Sequence, residues 1–171
     1  MKADGARLLP DRVRPPVRVL FVGINPGLRS AAMGHHFAGY STRFWKLLYE
    51  SGLVPVRIGF EDDVRLPEWG YGLTNLVARP TRGIDALTTD EYLDGQRVLR
   101  RKIRRWKPDI VALLGVMIYR VISPIKAPTP FPIGWQPDPF EGARLAVLPN
   151  PSGRNANFSY AEMLAAYRLL A

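Results

Sequence analysis

The sequence predicts an α/β fold, a central, mostly parallel sheet flanked by helices, on three observations. Short apolar or β-branched runs recur at residues 17–23, 109–114 and 143–148, the mark of buried strands. Amphipathic segments with helix start signals stand between and after them. Such alternation is the pattern of a parallel sheet covered on both faces, hence three layers. At 171 residues the chain suits one core. Residues 17–171 are therefore assigned to a single domain, and residues 1–16, with Lys2, Arg7, Arg12 and Arg14, to a loosely ordered basic arm.

The first strand, residues 17–23, runs into a Gly-Ile-Asn-Pro-Gly turn. Residues 42–52 follow as a helix, because Phe44, Leu47, Leu48 and Ser51 share helical spacing and Gly52 stands where a helix stops. Thr88 and Glu91 have the spacing of a capping box. The helix they open places Leu99, Ile103 and Trp106 on one stripe, and Pro108 ends it. Arg97, Arg100, Arg101, Arg104 and Arg105 fall opposite that stripe and read as its solvated face. Residues 109–114 form the second strand and 115–122 a short helix. The stretch 124–139 holds six prolines, too many for a central strand or a helix, and is expected to be an ordered surface loop. Residues 143–148 form the third strand, and Ser159 with Glu162 caps a final helix reaching Leu170.

The composition narrows the chemistry. There are 24 Lys plus Arg against 15 Asp plus Glu, a net charge of +9, which suggests a polyanionic partner with nucleic acid first. Nineteen of the basic residues are arginine, whose planar fork pairs with phosphate at two points. The absence of cysteine removes disulfides, thiol catalysis, Cys-type zinc sites and iron–sulfur clusters. His35 and His36 lack the carboxylate or cysteine company of a metal site. No secretory signal and no membrane-spanning run is legible, so a cytoplasmic protein without a membrane role is expected. It is taken separately to be a monomer.

In doubly wound sheets ligands gather at the carboxyl ends of the strands, which directs attention to the loops at 23–40 and 149–158. Gly23-Ile24-Asn25-Pro26-Gly27 lacks the Gly-Lys-Ser/Thr of a phosphate-cradling loop. Taken alone it is a tight turn, with Asn25 held extended by Pro26. A second Asn-Pro element, Asn150-Pro151-Ser152-Gly153, closes the third strand. The two loops are expected to face each other.

Gly-Ile-Asn-Pro-Gly-Leu at 23–28, Gly34-His35-His36-Phe37, Arg43-Phe44-Trp45-Lys46 and Leu148-Pro149-Asn150-Pro151-Ser152-Gly153 together resemble the mismatch-specific uracil-DNA glycosylases and thymine-DNA glycosylases. The similarity runs in order from about Arg18 to the last helix. It implies a single α/β domain that flips uracil, or mispaired thymine and related damaged pyrimidines, out of double-stranded DNA and hydrolyses its N-glycosidic bond, with no metal and no cofactor.

The same resemblance distributes roles. Asn25 falls on the asparagine that positions the attacking water. A carboxamide is no proton acceptor, but its carbonyl orients a water while its NH₂ donates elsewhere. Backbone N–H groups of the 23–30 loop would stabilise charge on the leaving base. Phe37 matches the ring that stacks on the extruded base. Ile24, Gly27, Ser30, His36 and Asn75 fall in the base pocket. Asn150, Ser152, Gly153, Arg154 and Asn155 fall in the DNA-binding wedge loop, with Arg154 where the enterobacterial branch has leucine. Asp85, Asp90 and Asp94 are candidate auxiliary bases, although Asp90 also suits a helix N-terminus. Two other readings stay open: a non-catalytic DNA-damage or mismatch binder on the same fold, and a small-molecule N-ribosyl hydrolase.

Overall fold

The computed structural model of the protein describes residues 8–123 and 133–171. Its strands are β1 (Val19–Gly23), β2 (Tyr71–Asn75), β3 (Ile110–Leu114), β4 (Gly134–Trp135) and β5 (Arg144–Leu148), and its helices α1 (Leu28–Met33), α2 (Phe44–Glu50), α3 (Thr89–Trp106), α4 (Val116–Ile122) and α5 (Tyr160–Arg168). The strands make one sheet in the order β2-β1-β3-β5-β4. β1 runs parallel to β2 and β3, and β3 to β5, while β4 alone pairs antiparallel to its neighbour. The mostly parallel sheet expected from the alternation is what forms.

Successive strand residues point to opposite faces, and each face builds its own core. Val19 and Phe21 turn towards Phe44, Leu47 and Leu48 of α2 and Met163 and Tyr167 of α5. Leu20 and Val22 turn towards Leu99 and Ile103 of α3 and Ile118 and Ile122 of α4. The result is three layers, with the central strands β1 and β3 buried along their whole length. The capping boxes read from the sequence close as expected: Thr88 accepts from the Glu91 N–H, and Ser159 from the Glu162 N–H. Gly95 lets α3 lie on the end of β2, since a Cβ there would stand 2.2 Å from the Leu76 carbonyl oxygen. Arg97 pairs with Asp94, Arg100 and Arg104 reach Glu141 at 2.9 and 3.6 Å, and Arg101 and Arg105 are exposed. That is a solvated face, as its spacing predicted. No described helix is long and apolar enough to cross a membrane.

Three expectations need correction. The sequence reading found no strand at 71–75, because Gly72, Thr74 and Asn75 break the apolar run. Tertiary pairing makes it one: β1 borders one edge, and on the other Arg12 exchanges backbone hydrogen bonds with Leu73 at 3.0 and 2.9 Å. Gly72 eases that crowding, since a Cβ would meet the Leu20 and Val13 side chains at 3.1 and 3.2 Å and push them back by a few tenths of an ångström. The same pairing corrects the arm. Residues 1–7 lie outside the described residues, but Arg12 is paired with β2, and Asp11 bonds Thr74 and Lys102 at 2.7 and 2.8 Å. The proline-rich stretch is not wholly a loop either. Its residues 124–132 lie outside the described residues, and Gly134–Trp135 is the edge strand β4. The six-residue α1 and a 3-10 segment at Phe60–Trp69 are too short or too irregular to show a helical period.

Candidate active site

Because β1, β2, β3 and β5 are parallel, their carboxyl ends open on one side. A cavity of about 180 Å³ forms there, lined by Asn25, Gly27, Ser30, His36, Phe37, Asn75, Asn150 and Ser152 among others. The two Asn-Pro loops do face each other across it. They are bridged by residues 41–43: the Arg43 N–H donates to the Pro151 carbonyl at 2.7 Å and the Gly153 N–H to that of Ser41 at 2.6 Å. A Cβ at position 153 would stand 2.6 Å from the Ser41 oxygen, so this closeness needs glycine.

Asn25 is held by its nitrogen. Nδ2 donates to the Arg79 carbonyl at 2.9 Å and to Thr81 Oγ1 at 2.8 Å. The Thr81 hydroxyl spends its own proton on the Gly83 carbonyl at 2.8 Å, so towards Asn25 it only accepts. Both partners therefore demand NH₂ on that side. Oδ1, which accepts no hydrogen bond among the described residues, is left for the cavity. The loop at 79–81 is itself secured: the Arg79 guanidinium makes a two-point pair with Glu91 at 2.8 and 2.9 Å. That pair, helped by the Thr88 N–H, holds the Glu91 carboxyl down to about 2. Thr81 and Arg79 were not anticipated, and only the Arg-Pro-Thr run after β2 marks them in the sequence.

Phe37 adopts a left-handed backbone (φ 50°), a conformation that costs energy in a non-glycine residue and persists when its surroundings impose it. Its ring stacks on Phe44 at 4.3 Å, and the Trp45 indole N–H donates to its carbonyl at 3.0 Å. The His36 Nε2–H donates to the Pro10 carbonyl at 2.8 Å, which leaves Nδ1 as the acceptor of a neutral ring. Burial lowers the His36 pKa and keeps it neutral. Ser30 Oγ accepts from the Ala38 N–H at 3.0 Å and retains a proton to donate. The Asn75 amide makes no hydrogen bond among the described residues, so both its donor and its acceptor are available to a ligand.

Behind this wall lies a carboxylate the sequence reading did not single out. Asp63 is 0% exposed. It accepts from Arg12 Nε at 3.1 Å, His35 Nδ1 at 2.8 Å and the His36 N–H at 2.9 Å. Arg12 also donates to the Gly34 carbonyl at 2.9 Å. The cluster ties residues 34–36 to the 3-10 segment and to the N-terminal stretch. His35 thus acts in packing rather than in the cavity. Within a Glu-Asp-Asp run, nothing in the sequence distinguishes Asp63 from the exposed Glu61 and half-buried Asp62.

The remaining site residues divide. Ile24 does not line the cavity; it is buried in the α3/α4-side core and borders a neighbouring groove of about 730 Å³, which shares Asn150 and Ser152 with the cavity. Arg82, Arg120, Arg154, Asn155 and Asp85 also line that groove. The loop at 149–158 is shaped by its own side chains: Asn150 Oδ1 accepts from the Ser152 N–H at 3.0 Å, Ser152 Oγ from the Arg154 N–H at 3.1 Å, and Asn155 Nδ2 donates to the Asn150 carbonyl at 3.1 Å. The Arg154 side chain is left exposed. As for the auxiliary bases, no carboxylate lines the cavity among the described residues. Asp85 faces the groove, Asp90 stands exposed in the first turn of α3, and Asp94 pairs with Arg97. No described group of three or more His, Asp or Glu is placed to hold a metal ion.

Fold and site define an α/β domain whose strand ends hold a small cavity with several polar side chains and one aromatic wall, beside an arginine-lined groove. The family model for the uracil DNA glycosylase superfamily matches residues 10–171, and the chain belongs to that family. It is 37% identical over 158 residues to the G/U mismatch-specific uracil DNA glycosylase of Schizosaccharomyces pombe, a match covering 88% of this chain and 49% of that protein. The chain thus spans about half the length of this curated relative. The solution NMR structure of a candidate uracil DNA glycosylase from Methanosarcina acetivorans superposes with a TM-score of 0.61 at 17% identity, covering 96% of this chain and 98% of that one. That likeness concerns the fold.

Proposed function

We propose that the protein is a monofunctional DNA glycosylase that extrudes uracil from double-stranded DNA, G·U mispairs foremost, and hydrolyses its N-glycosidic bond. The observation that carries this reading is Asn25, whose amide nitrogen is anchored twice so that its carbonyl oxygen is left to the cavity. In the reaction a water held by Oδ1 attacks C1′ of the deoxyribose. The C1′–N1 bond breaks, its electron pair leaves on the base, and the water's proton ends on the departing uracil. With no carboxylate lining the cavity among the described residues, the rate rests on orienting the water and on donors that stabilise the anionic base. Asn75, Ser30 and His36 supply donors and acceptors for the pyrimidine edge, and Phe37 a face for its ring.

Incubation with labelled G·U duplex followed by alkaline cleavage tests the reading. A strand break at the uracil is expected, with duplex affinity falling as salt rises. Duplex binding without a break would make the protein a damage binder, and neither binding nor a break would leave the small-molecule hydrolase.

Two variants probe the site. Gly23→Ala places a Cβ 2.6 Å from Asn75 Oδ1 and turns that amide out of position, so single-turnover cleavage of G·U duplex is expected to drop by roughly tenfold, about one hydrogen bond's worth, with little change in melting temperature. Arg154→Ala removes the exposed side chain that fills the gap left by the flipped base. Its defect is expected to be largest for U·A, where extrusion costs a few kcal/mol, and smallest for single-stranded uracil. Equal losses on U·G, U·A and single strands would assign Arg154 to phosphate binding instead.

A further inference from the structure

Tyr40 is 90% exposed, although it stands between Gly39 and Ser41, which both line the cavity. An aromatic ring this open adds little to folding. It is nonetheless held in place, because the Arg29 guanidinium lies over it, 4.0 Å from the ring centroid. Arg29 is fixed in turn by its Nε–H donating to the Ala38 carbonyl at 2.8 Å, and the Phe60 ring centroid lies 6.0 Å from its guanidinium carbon. Among the described residues Arg29 has no carboxylate partner. The segment is also bolted to the wedge loop through the Ser41–Gly153 hydrogen bond and the Thr42–Ser152 bridge. A supported aromatic face and a cation without a described carboxylate partner therefore stand together beside the cavity, on a segment joined to the loop that carries Arg154.

We propose that Tyr40 and Arg29 form a second DNA contact, which binds a nucleotide flanking the extruded one. The Tyr40 ring packs on its base or sugar and Arg29 meets its phosphate. The pairing of a π face with a guanidinium suits one nucleotide of a polyanion. Holding the neighbour in place keeps the opened stack from closing while the target base occupies the cavity. The inference rests on the glycosylase reading and names a contact that reading does not need.

The test is single-turnover cleavage of a G·U duplex, with 2-aminopurine beside the uracil reporting on stacking. Tyr40→Ala is expected to raise the half-saturating enzyme concentration on the order of tenfold, the size of one base–aromatic stack, and to change the saturated rate far less. It should also abolish the fluorescence change of the flanking base, while Tyr40→Phe restores both. Arg29→Gln is expected to weaken binding and flatten its salt dependence. Wild-type cleavage with Tyr40→Ala matching it in half-saturation and fluorescence overturns this inference alone. A wild type that cuts no G·U duplex overturns the glycosylase reading instead. An unchanged melting temperature for Tyr40→Ala, expected at so exposed a position, excludes misfolding as the cause.

Discussion

Asn25→Ala is expected to lower single-turnover cleavage of G·U duplex by about 10²–10³-fold, the usual cost of removing one positioned polar group from a transition state. Duplex binding should be largely retained. The side chain is half-buried and bonds only to Arg79 and Thr81, so the fold should persist with a loss of about 1–2 kcal/mol. Asn25→Asp is the sharper variant. A carboxylate would be the better base, but it would set an acceptor against the Arg79 carbonyl and against a threonine whose proton is committed to Gly83. It must rotate away or bind a proton, so it is expected to fall below the wild-type rate at neutral pH. A rate above wild type would mean that the anchored amide does not set the orientation. A near-normal rate for Asn25→Ala would remove Asn25 from the mechanism.

Asp63→Ala is expected to be the most destabilising single change. It leaves the partly buried Arg12 guanidinium, the His35 ring N–H and the His36 backbone N–H without their shared acceptor. Removing one partner of a buried ion pair costs about 3–5 kcal/mol, which for a chain of this size lowers Tm by roughly 10 °C. Thermal and urea unfolding would measure it, and a shift within about 1 °C would reduce the cluster to a surface salt bridge. Asp63→Asn, which keeps one acceptor, should fall in between. The neighbouring His36 adds a pH dependence of known sign. Its pKa is lowered in the folded protein by burial, so below the ordinary value of 6.5 the unfolded chain binds the proton first. Its contribution to stability is complete above that pH and fades as pH falls towards the folded value.

Much of the architecture was legible because it is local. β1, β3 and β5 show as uninterrupted apolar runs, since strands covered on both faces need no polar alternation. The Thr88–Glu91 and Ser159–Glu162 boxes mark their helices because a cap is made by residues three apart. β2 was hidden because its Gly72, Thr74 and Asn75 serve the neighbours that crowd it and the cavity at its end rather than a strand pattern. The auxiliary carboxylates were sought among Asp85, Asp90 and Asp94 because a sequence shows which acids exist but not which way a helix turns them.

By itself the sequence determined the parallel α/β layering, the two Asn-Pro loops at strand ends and the placement of Asn25, Phe37 and Asn75 in one pocket by resemblance. Only the tertiary structure decided which atom of Asn25 meets the cavity, that Asp63 rather than any surface acid is buried behind His36, and that residues 41–43 lock the second Asn-Pro loop. The reason is distance along the chain. Asn25 lies 54 and 56 residues from its two anchors, and Asp63 lies 51 residues from Arg12. Periodicity and capping act within a few residues, so hydrogen bonds of that span have no local trace and exist only once the sheet has brought its strand ends together.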